Sequence, residues 1–394
     1  MMEQKNKTNQ LNEPASPCTD PSQSNPPRKK RWNLLSAVFM LALIAVPIAI
    51  LFKDTSISEV WSAVQSANPL WLLAALGSAL FASVLFGVAL HIGLRALYRK
   101  PIPLMRDIGF GLIGQYYTAI TPAGAAGQPM QLYYMLAYGV DVSYASLVLL
   151  LVNAAHQIVV LLIPSVLFPF HASLILDNLG AFLWLFLLGA LINIALILFL
   201  LFAMFSKSFA QRAVHWVINL LVKMHIVKHP EKIFAKADEQ IRRYSQGAEV
   251  LKQHPWLIVG ELVAYILLLS SQFVIPYFIY RAFGLSGFGM MDFIALQSVL
   301  YLAVCFLPIP GSAGVSESGF VTIFRVLFQS ALIVPAMLLS RLASFYLILL
   351  VSGTVSLAMQ LVLSARKKRA AKEQALAAAQ HPCPPADPEG ETTP

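Results

Sequence analysis

Thr121-Pro122-Ala123-Gly124-Ala125-Ala126-Gly127-Gln128-Pro129 cuts into an apolar run that extends over 107–135. Leu307-Pro308-Ile309-Pro310-Gly311-Ser312-Ala313-Gly314-Val315-Ser316-Glu317 does the same to a run over 292–331. Proline removes backbone donors and glycine relaxes the backbone, so neither run reads as one unbroken helix. At membrane depth such a break is tolerated only where the freed backbone is buried in protein or faces a wet cavity. Two breaks of the same make therefore predict one shared cavity.

The surroundings of the breaks place them in a membrane. The chain has 394 residues, 58% hydrophobic and 12% charged, with mean hydropathy +0.68, which lies outside the composition of soluble domains. Six further apolar runs, 34–52, 70–94, 143–169, 179–205, 255–283 and 332–363, approach or exceed the ~20 residues of a spanning helix. The first is too long for a signal-peptide core and lacks a small-residue cleavage pattern, so it reads as an uncleaved anchor. No charged, mixed stretch is long enough for a large soluble catalytic domain. Cys18, Cys305 and Cys383 are too few and too scattered for a disulfide framework or a zinc site. No metal or cofactor is expected.

Basic residues set the topology. Of 28 Lys and Arg, 24 fall in four regions: six in 1–31, four in 95–106, nine in 207–252 and five in 366–372. The positive-inside rule puts all four in the cytoplasm, which requires an even number of crossings between each pair. Three apolar runs separate Arg106 from Lys207, and three separate Lys252 from Arg366, so one run in each set must return to its own side. The two broken runs are the candidates, the first dipping from the cytoplasm and the second from outside. The predicted fold is an all-α polytopic membrane protein with about six full spans, two opposed re-entrant broken helices and an imperfect inverted repeat. Residues 1–31 and 364–394 read as disordered cytoplasmic tails flanking a transmembrane domain over 32–363. The connection 207–254 reads as an amphipathic cytoplasmic hairpin, on the bilayer surface or in solvent.

Aligned with each other, Pro122-x-Gly124-x-x-Gly127-Gln128 mirrors Pro310-Gly311-x-x-Gly314, with Glu317 three residues on. The glycines either allow close helix packing or free a helix N-terminus to face an anion. Together with Arg341 early in the last run and Gly353 further along it, the motifs resemble the flippase-like family, which comprises the transmembrane region of lysylphosphatidylglycerol synthases and its stand-alone relatives. The resemblance covers roughly residues 33–363. It implies a multi-pass protein of the bacterial inner membrane, both termini cytoplasmic, that moves a lipid or lipid-linked compound between leaflets. The family's first motif usually carries Gly-Glu-Pro and a nearby basic residue, whereas Gln128 and Gln131 are neutral here. The synthases also carry a soluble aminoacyl-transferring domain, and the polar stretch 364–394 leads to the expectation that this chain does not itself make lysyl lipid.

The substrate path is thus expected to include Pro122, Gly124, Gly127, Gln128, Pro310, Gly311, Gly314, Glu317 and Arg341. Intramembrane charge costs about 2.5–3.5 kcal/mol on insertion scales, so Glu317, Arg325 and Arg341 each need a partner or a substrate. Glu317 can pair with Arg341 or Arg325, or meet a cationic head group; Glu261 reads as interfacial. Gln115 and Tyr117 precede the first break, and Asn153 and His156 form a polar stripe with Gln157. A lone intramembrane His is more often an interhelical hydrogen-bonding residue than a proton relay. No catalytic group is assigned: the chain has no His-Glu-x-x-His motif, no carboxylate cluster and no nucleotide-binding P-loop. Transport of a membrane lipid, an anionic phospholipid or a glycolipid, is the leading expectation. A membrane scaffold for a lipid-modifying enzyme and an intramembrane enzyme are the alternatives, and nucleic acid is not an expected partner.

Overall fold

The computed structural model describes residues 57–98, 102–223 and 230–380, and no strand occurs among them. The expected tail 1–31 and first span 34–52 lie outside the described residues, as does everything beyond 380. The helices are α1 Ile57–Ser66, α2 Pro69–Leu97, α3 Leu104–Ile120, α4 Gly127–Ala137, α5 Val142–Leu179, α6 Phe182–Phe205 and α7 Lys207–Lys223. They continue with α8 Pro230–Gln253, α9 Pro255–Phe273, α10 Ile275–Ala282, α11 Met290–Val304, α12 Val315–Ile323, α13 Ile333–Arg341 and α14 Leu347–Gln380. Among the described residues, five segments are long and apolar enough to cross a membrane: Pro69–Leu97, Val142–Leu179, Phe182–Phe205, Pro255–Ala282 and Ile333–Glu373. They coincide with five of the six unbroken runs read from the sequence, and the fold is all-α and polytopic.

Local chemistry sets the helix starts. Pro69 sits in the first turn of α2 and Asn68 Oδ1 accepts from the Leu70 N–H at 2.9 Å, satisfying one of the donors that a helix start leaves open. α9 likewise opens on Pro255. α5 departs from expectation. Residues 170–178 read as a loop between two runs, yet the helix continues through them to Leu179, with Pro164 and Pro169 inside and a kink at His171 (φ −125°, ψ 20°). Ile175 and Leu179 are fully buried there, and their helical spacing keeps the segment wound. The turn is confined to Gly180 and its neighbour, with Gly180 at φ +49°. α14 also runs on beyond its apolar part, through Arg366 to Gln380. Composition predicts a tail from 364, but Ala, Lys, Glu and Gln are strong helix formers.

Three of the four basic regions fall among the described residues and gather at one end of the bundle. The guanidinium of Arg106 lies 5.4 Å from the Tyr138 ring centroid and that of Arg366 lies 5.0 Å from it, so the regions 95–106 and 366–372 meet. α8 joins them where the Ser143 hydroxyl donates to the Gln240 carbonyl at 3.0 Å. At the far end the Asn68 N–H donates to the Ala282 carbonyl at 2.8 Å, and His171 pairs with Asp292 at 3.3 Å.

Each broken segment starts and finishes at its own end. α3 leaves the basic end and α4 returns to it, where the rings of Phe110 and Tyr138 are 5.7 Å apart. α11 leaves the far end near Asp292, and the chain after α12 comes back to it, with the Phe293 and Phe328 rings 6.0 Å apart. The 3-10 turns at the two tips, Pro122–Gly124 and Pro310–Ser312, touch each other. Two apolar clusters result. One surrounds the first hairpin and includes Phe110, Tyr134, Leu151 and Phe273. The other surrounds the second hairpin and includes Phe293, Phe320, Phe324 and Met337. α6 leaves its outer face bare, with Trp184, Leu191 and Phe202 all more than 60% exposed, which suits hydrocarbon rather than water.

Candidate functional site

Where the tips meet, the helices enclose a cavity of about 880 Å³. Gly124, Ala125 and Gln128 border it from the first tip, and Gly311, Ser312 and Ser316 from the second. Backbone conformation explains the glycines: φ is +66° at Gly124, +59° at Gly311 and +84° at Gly314, in the region that a Cβ disfavours. Space is equally tight. A Cβ on Gly127 would overlap the Thr118 hydroxyl, and one on Gly311 would lie 2.6 Å from the Phe345 ring. Gly353 lets α14 pack against the Tyr116 ring of α3, where a Cβ would lie 3.1 Å away.

The wall is rich in neutral amides. Gln115, Gln128, Gln131, Gln157, Gln272 and Gln297 line it together with Asn153 and Asn193. Gln131 donates to the Phe110 carbonyl at 3.2 Å, and Asn193 Nδ2 donates to Gln157 Oε1 at 2.8 Å. His156 Nε2 lies 3.3 Å from the Tyr301 hydroxyl. Five lining groups, Asn193 among them, have a buried atom with no hydrogen-bond partner: Gln115 Oε1, Asn193 Oδ1, Gln297 Oε1, Tyr265 OH and Ser340 Oγ. Buried polar atoms are normally paired, so five orphans set in one wall mark unmet hydrogen-bonding capacity close behind its surface.

One fixed charge faces the chamber. Among the described residues that line it, Arg341 is the cation and none carries a carboxylate. Arg341 ends α13, where the helix widens into a π turn over Leu342–Tyr346. Its Nε pairs with Glu317 Oε1 at 2.8 Å, and its Nη2 donates to the Gly311 carbonyl at 3.2 Å and to the Ser316 hydroxyl. The Phe345 ring centroid lies 5.6 Å from the guanidinium. Glu317 Oε2 accepts the Gly314 N–H at 2.6 Å and lies 3.1 Å from the Ser316 hydroxyl. The carboxylate thus closes the N-terminus of α12 and steadies Arg341 from behind. That helix end is occupied by its own side chain rather than open to an anion.

Residues 34–352 match the family described as lysylphosphatidylglycerol synthase TM region. The chain belongs to this family. It is also similar to a UPF0104 membrane protein of Archaeoglobus fulgidus, 26% identical over 287 residues, which covers 71% of this chain and 83% of the relative. For the lysylphosphatidylglycerol synthase TM region, then, this chain places both glycine-rich motifs at one chamber.

Of the residues singled out from sequence, Gln115, Gly124, Gln128, Asn153, His156, Gly311 and Arg341 border the chamber. Pro122 and Pro310 open the two 3-10 turns. Gly127 starts α4 and Gly314 caps α12. Tyr117 turns toward Tyr134 and Ser356. Arg325 is exposed on the turn after α12, and Glu317 takes Arg341 as its partner instead. Sequence reasoning passed over Asn193, Gln272, Gln297, Tyr265 and Tyr301. The available signal was the isolated amide: Asn193, Gln272 and Gln297 each stand alone in an apolar stretch, where an unpaired amide is costly.

Proposed function

We propose that this protein moves a lipid or lipid-linked compound between leaflets through the chamber. The observation that carries the reading is a chamber lined by eight amide side chains and one guanidinium, held at the contact of two opposed hairpin tips inside an apolar bundle. In a bilayer the hairpins are re-entrant, because α3 and α11 have 17 and 15 residues, and α4 and α12 only 11 and 9, below the ~20 of a full span. Each brings a polar tip to mid-depth from its own side, in the manner of an inverted repeat. The positive-inside rule orients the basic end, with both termini, to the cytoplasm of a bacterial inner membrane.

The lining favours the head-group class. One guanidinium suits a phosphate, and a lining rich in amide side chains suits hydroxyls. A cationic, aminoacylated head group finds no free carboxylate here, since Glu317 is committed to Arg341. The substrate is accordingly an anionic phospholipid or a glycolipid. Gln115, Gln128, Asn153, His156 and Arg341 face it, while Glu317 and the glycines hold the walls.

The test is leaflet exchange by the purified protein, reconstituted without ATP in liposomes that carry head-group-labelled lipids of several classes. Anionic or glycosyl lipid is expected to exchange faster than in protein-free vesicles or in vesicles holding the Gly127→Val, Gly314→Val double variant. A panel that moves no faster than these controls favours the scaffold for a lipid-modifying enzyme, and chemical alteration of the label favours an enzyme.

A further inference from the structure

Glu261 lies in the first half of α9, two turns in from Pro255. It is fully buried, although its sequence position reads as interfacial, and the polar group it meets is the Gly93 backbone of α2, with no side-chain partner for either carboxyl oxygen. The carboxyl rests beside Gly93 of α2, where an added Cβ would lie 3.3 Å from Oε1 and touch Val148 of α5. Among the described residues no cation nearby compensates a charge. On α2, His91 is bound to Asp107 at 2.7 Å and Arg95 is exposed, and just beyond its end Tyr98 donates to the Gly139 carbonyl. On α8, Glu249 and Lys252 pair with each other at the surface, and Tyr244 donates to the Ala203 carbonyl. On α10, Arg281 stacks over Trp71, and at the start of α9 His254 is exposed.

The one titratable neighbour on its own helix is Tyr265, a single turn further on, whose hydroxyl is also without a partner and whose side chain lines the chamber. The Tyr265 ring packs against His156 of α5, centroids 5.6 Å apart, and His156 reaches the Tyr301 hydroxyl of α11, with Cys305 one turn beyond. Tyr265 thus stands between a dry carboxyl and the chamber, one helical turn from Glu261 and not hydrogen-bonded to it.

We propose that Glu261 is a proton-binding site served from the chamber through Tyr265. An unpaired carboxylate in this setting costs several kcal/mol, so in this conformation the group carries its proton. Release breaks the carboxyl O–H bond once α9 shifts against α2 and brings the Tyr265 hydroxyl within hydrogen-bond reach of both Glu261 and chamber water: the hydroxyl then accepts that proton while passing its own to the water, leaving a carboxylate that must be hydrated. Loss of the proton therefore demands an altered packing of α9 against α2. If the chamber moves lipid, as proposed above, that change couples leaflet exchange to protons.

The experiment is infrared spectroscopy of the full-length protein in lipid nanodiscs at neutral pH. The wild type is expected to show a protonated-carboxyl band that shifts in deuterated water, persists in Asp107→Asn and Glu261→Asp, and is absent from Glu261→Gln. In Tyr265→Phe the deuterium shift is expected to slow at least tenfold. A band unchanged by Glu261→Gln, or no band in the wild type, overturns the site, and an unslowed shift in Tyr265→Phe overturns the route. Folding of each variant is checked by size-exclusion chromatography and circular dichroism. In liposomes, an imposed pH difference is expected to alter exchange by the wild type and not by Glu261→Gln. A wild type that moves no lipid would overturn the proposed function alone, since the infrared result is independent of it.

Discussion

Glu317→Gln is the sharpest test of what the second hairpin does. The change keeps the size of the side chain and one carbonyl oxygen but removes the charge that faces Arg341 Nε across 2.8 Å. The guanidinium side chain is only 18% exposed, so it keeps the Gly311 carbonyl and the Ser316 hydroxyl while losing its counter-ion. Removing one member of a buried pair costs about 3–5 kcal/mol. Because Arg341 borders a polar chamber that can hydrate it, the lower end applies, about 3 kcal/mol, or roughly a hundredfold in the folding equilibrium. Total stabilities run to about 5–15 kcal/mol, so the variant still folds. The double variant Glu317→Gln, Arg341→Gln leaves no stranded charge and is expected to recover most of the loss, a coupling of about 2 kcal/mol in a double-mutant cycle. Detergent-denaturation midpoints of the four proteins supply the cycle, and leaflet exchange per folded molecule supplies function. Exchange should fall most where Arg341 is absent, because Arg341 faces the chamber and Glu317 does not. Additive stabilities would refute the pair as a structural unit. Full exchange by Arg341→Ala would refute its role toward the head group.

Three further outcomes are expected. Gly311→Ala places a Cβ 2.6 Å from Phe345 at φ +59° and should cost about 2–4 kcal/mol from backbone strain and overpacking, whereas Gly77→Ala, with open space around it, should be neutral or stabilising by up to ~1 kcal/mol; thermal midpoints in detergent compare them. Gln297→Leu, which removes an unpartnered buried oxygen from the chamber wall, should raise stability by about 1 kcal/mol while slowing head-group exchange; unchanged exchange would remove Gln297 from the path. Single cysteines at Arg212 and Lys367, in a background without native cysteines, should resist an impermeant thiol reagent added outside intact cells, and one at Ser173 should react; labelling at Arg212 from outside would reverse the orientation.

Hydropathy and helix breakers carried most of the architecture. Pro122 and Pro310 act through their own backbone, so the two breaks are visible in sequence wherever the chain folds. The kinked continuity of α5 was hidden because Pro164, Pro169 and His171 resemble loop residues until Ile175 and Leu179 are seen buried. The site was legible where residues share a motif, as at Gly124, Gln128 and Gly311. It was obscure where the wall depends on which way a helix faces. Glu261 shows the difference, since its distance from the helix start suggested an interface while its direction took it into the interior. Asn193 and Gln297 are single amides on separate helices, and only the packing of α6 and α11 brings them to one chamber.

The π turn at Leu342–Tyr346 makes the last span two rotors on one axle. A π turn lodges one surplus residue in the winding, and each residue of an α-helix advances the face by about 100°. Should the wide turn pass one step along the chain, the residues it crosses turn by that angle, while Gly353 stays seated against Tyr116. Arg341 stands at the upper edge of this turn and Phe345 within it. Deleting Leu342 would close the surplus and lock the two halves together, fixing the guanidinium in one bearing relative to the tyrosine ring below.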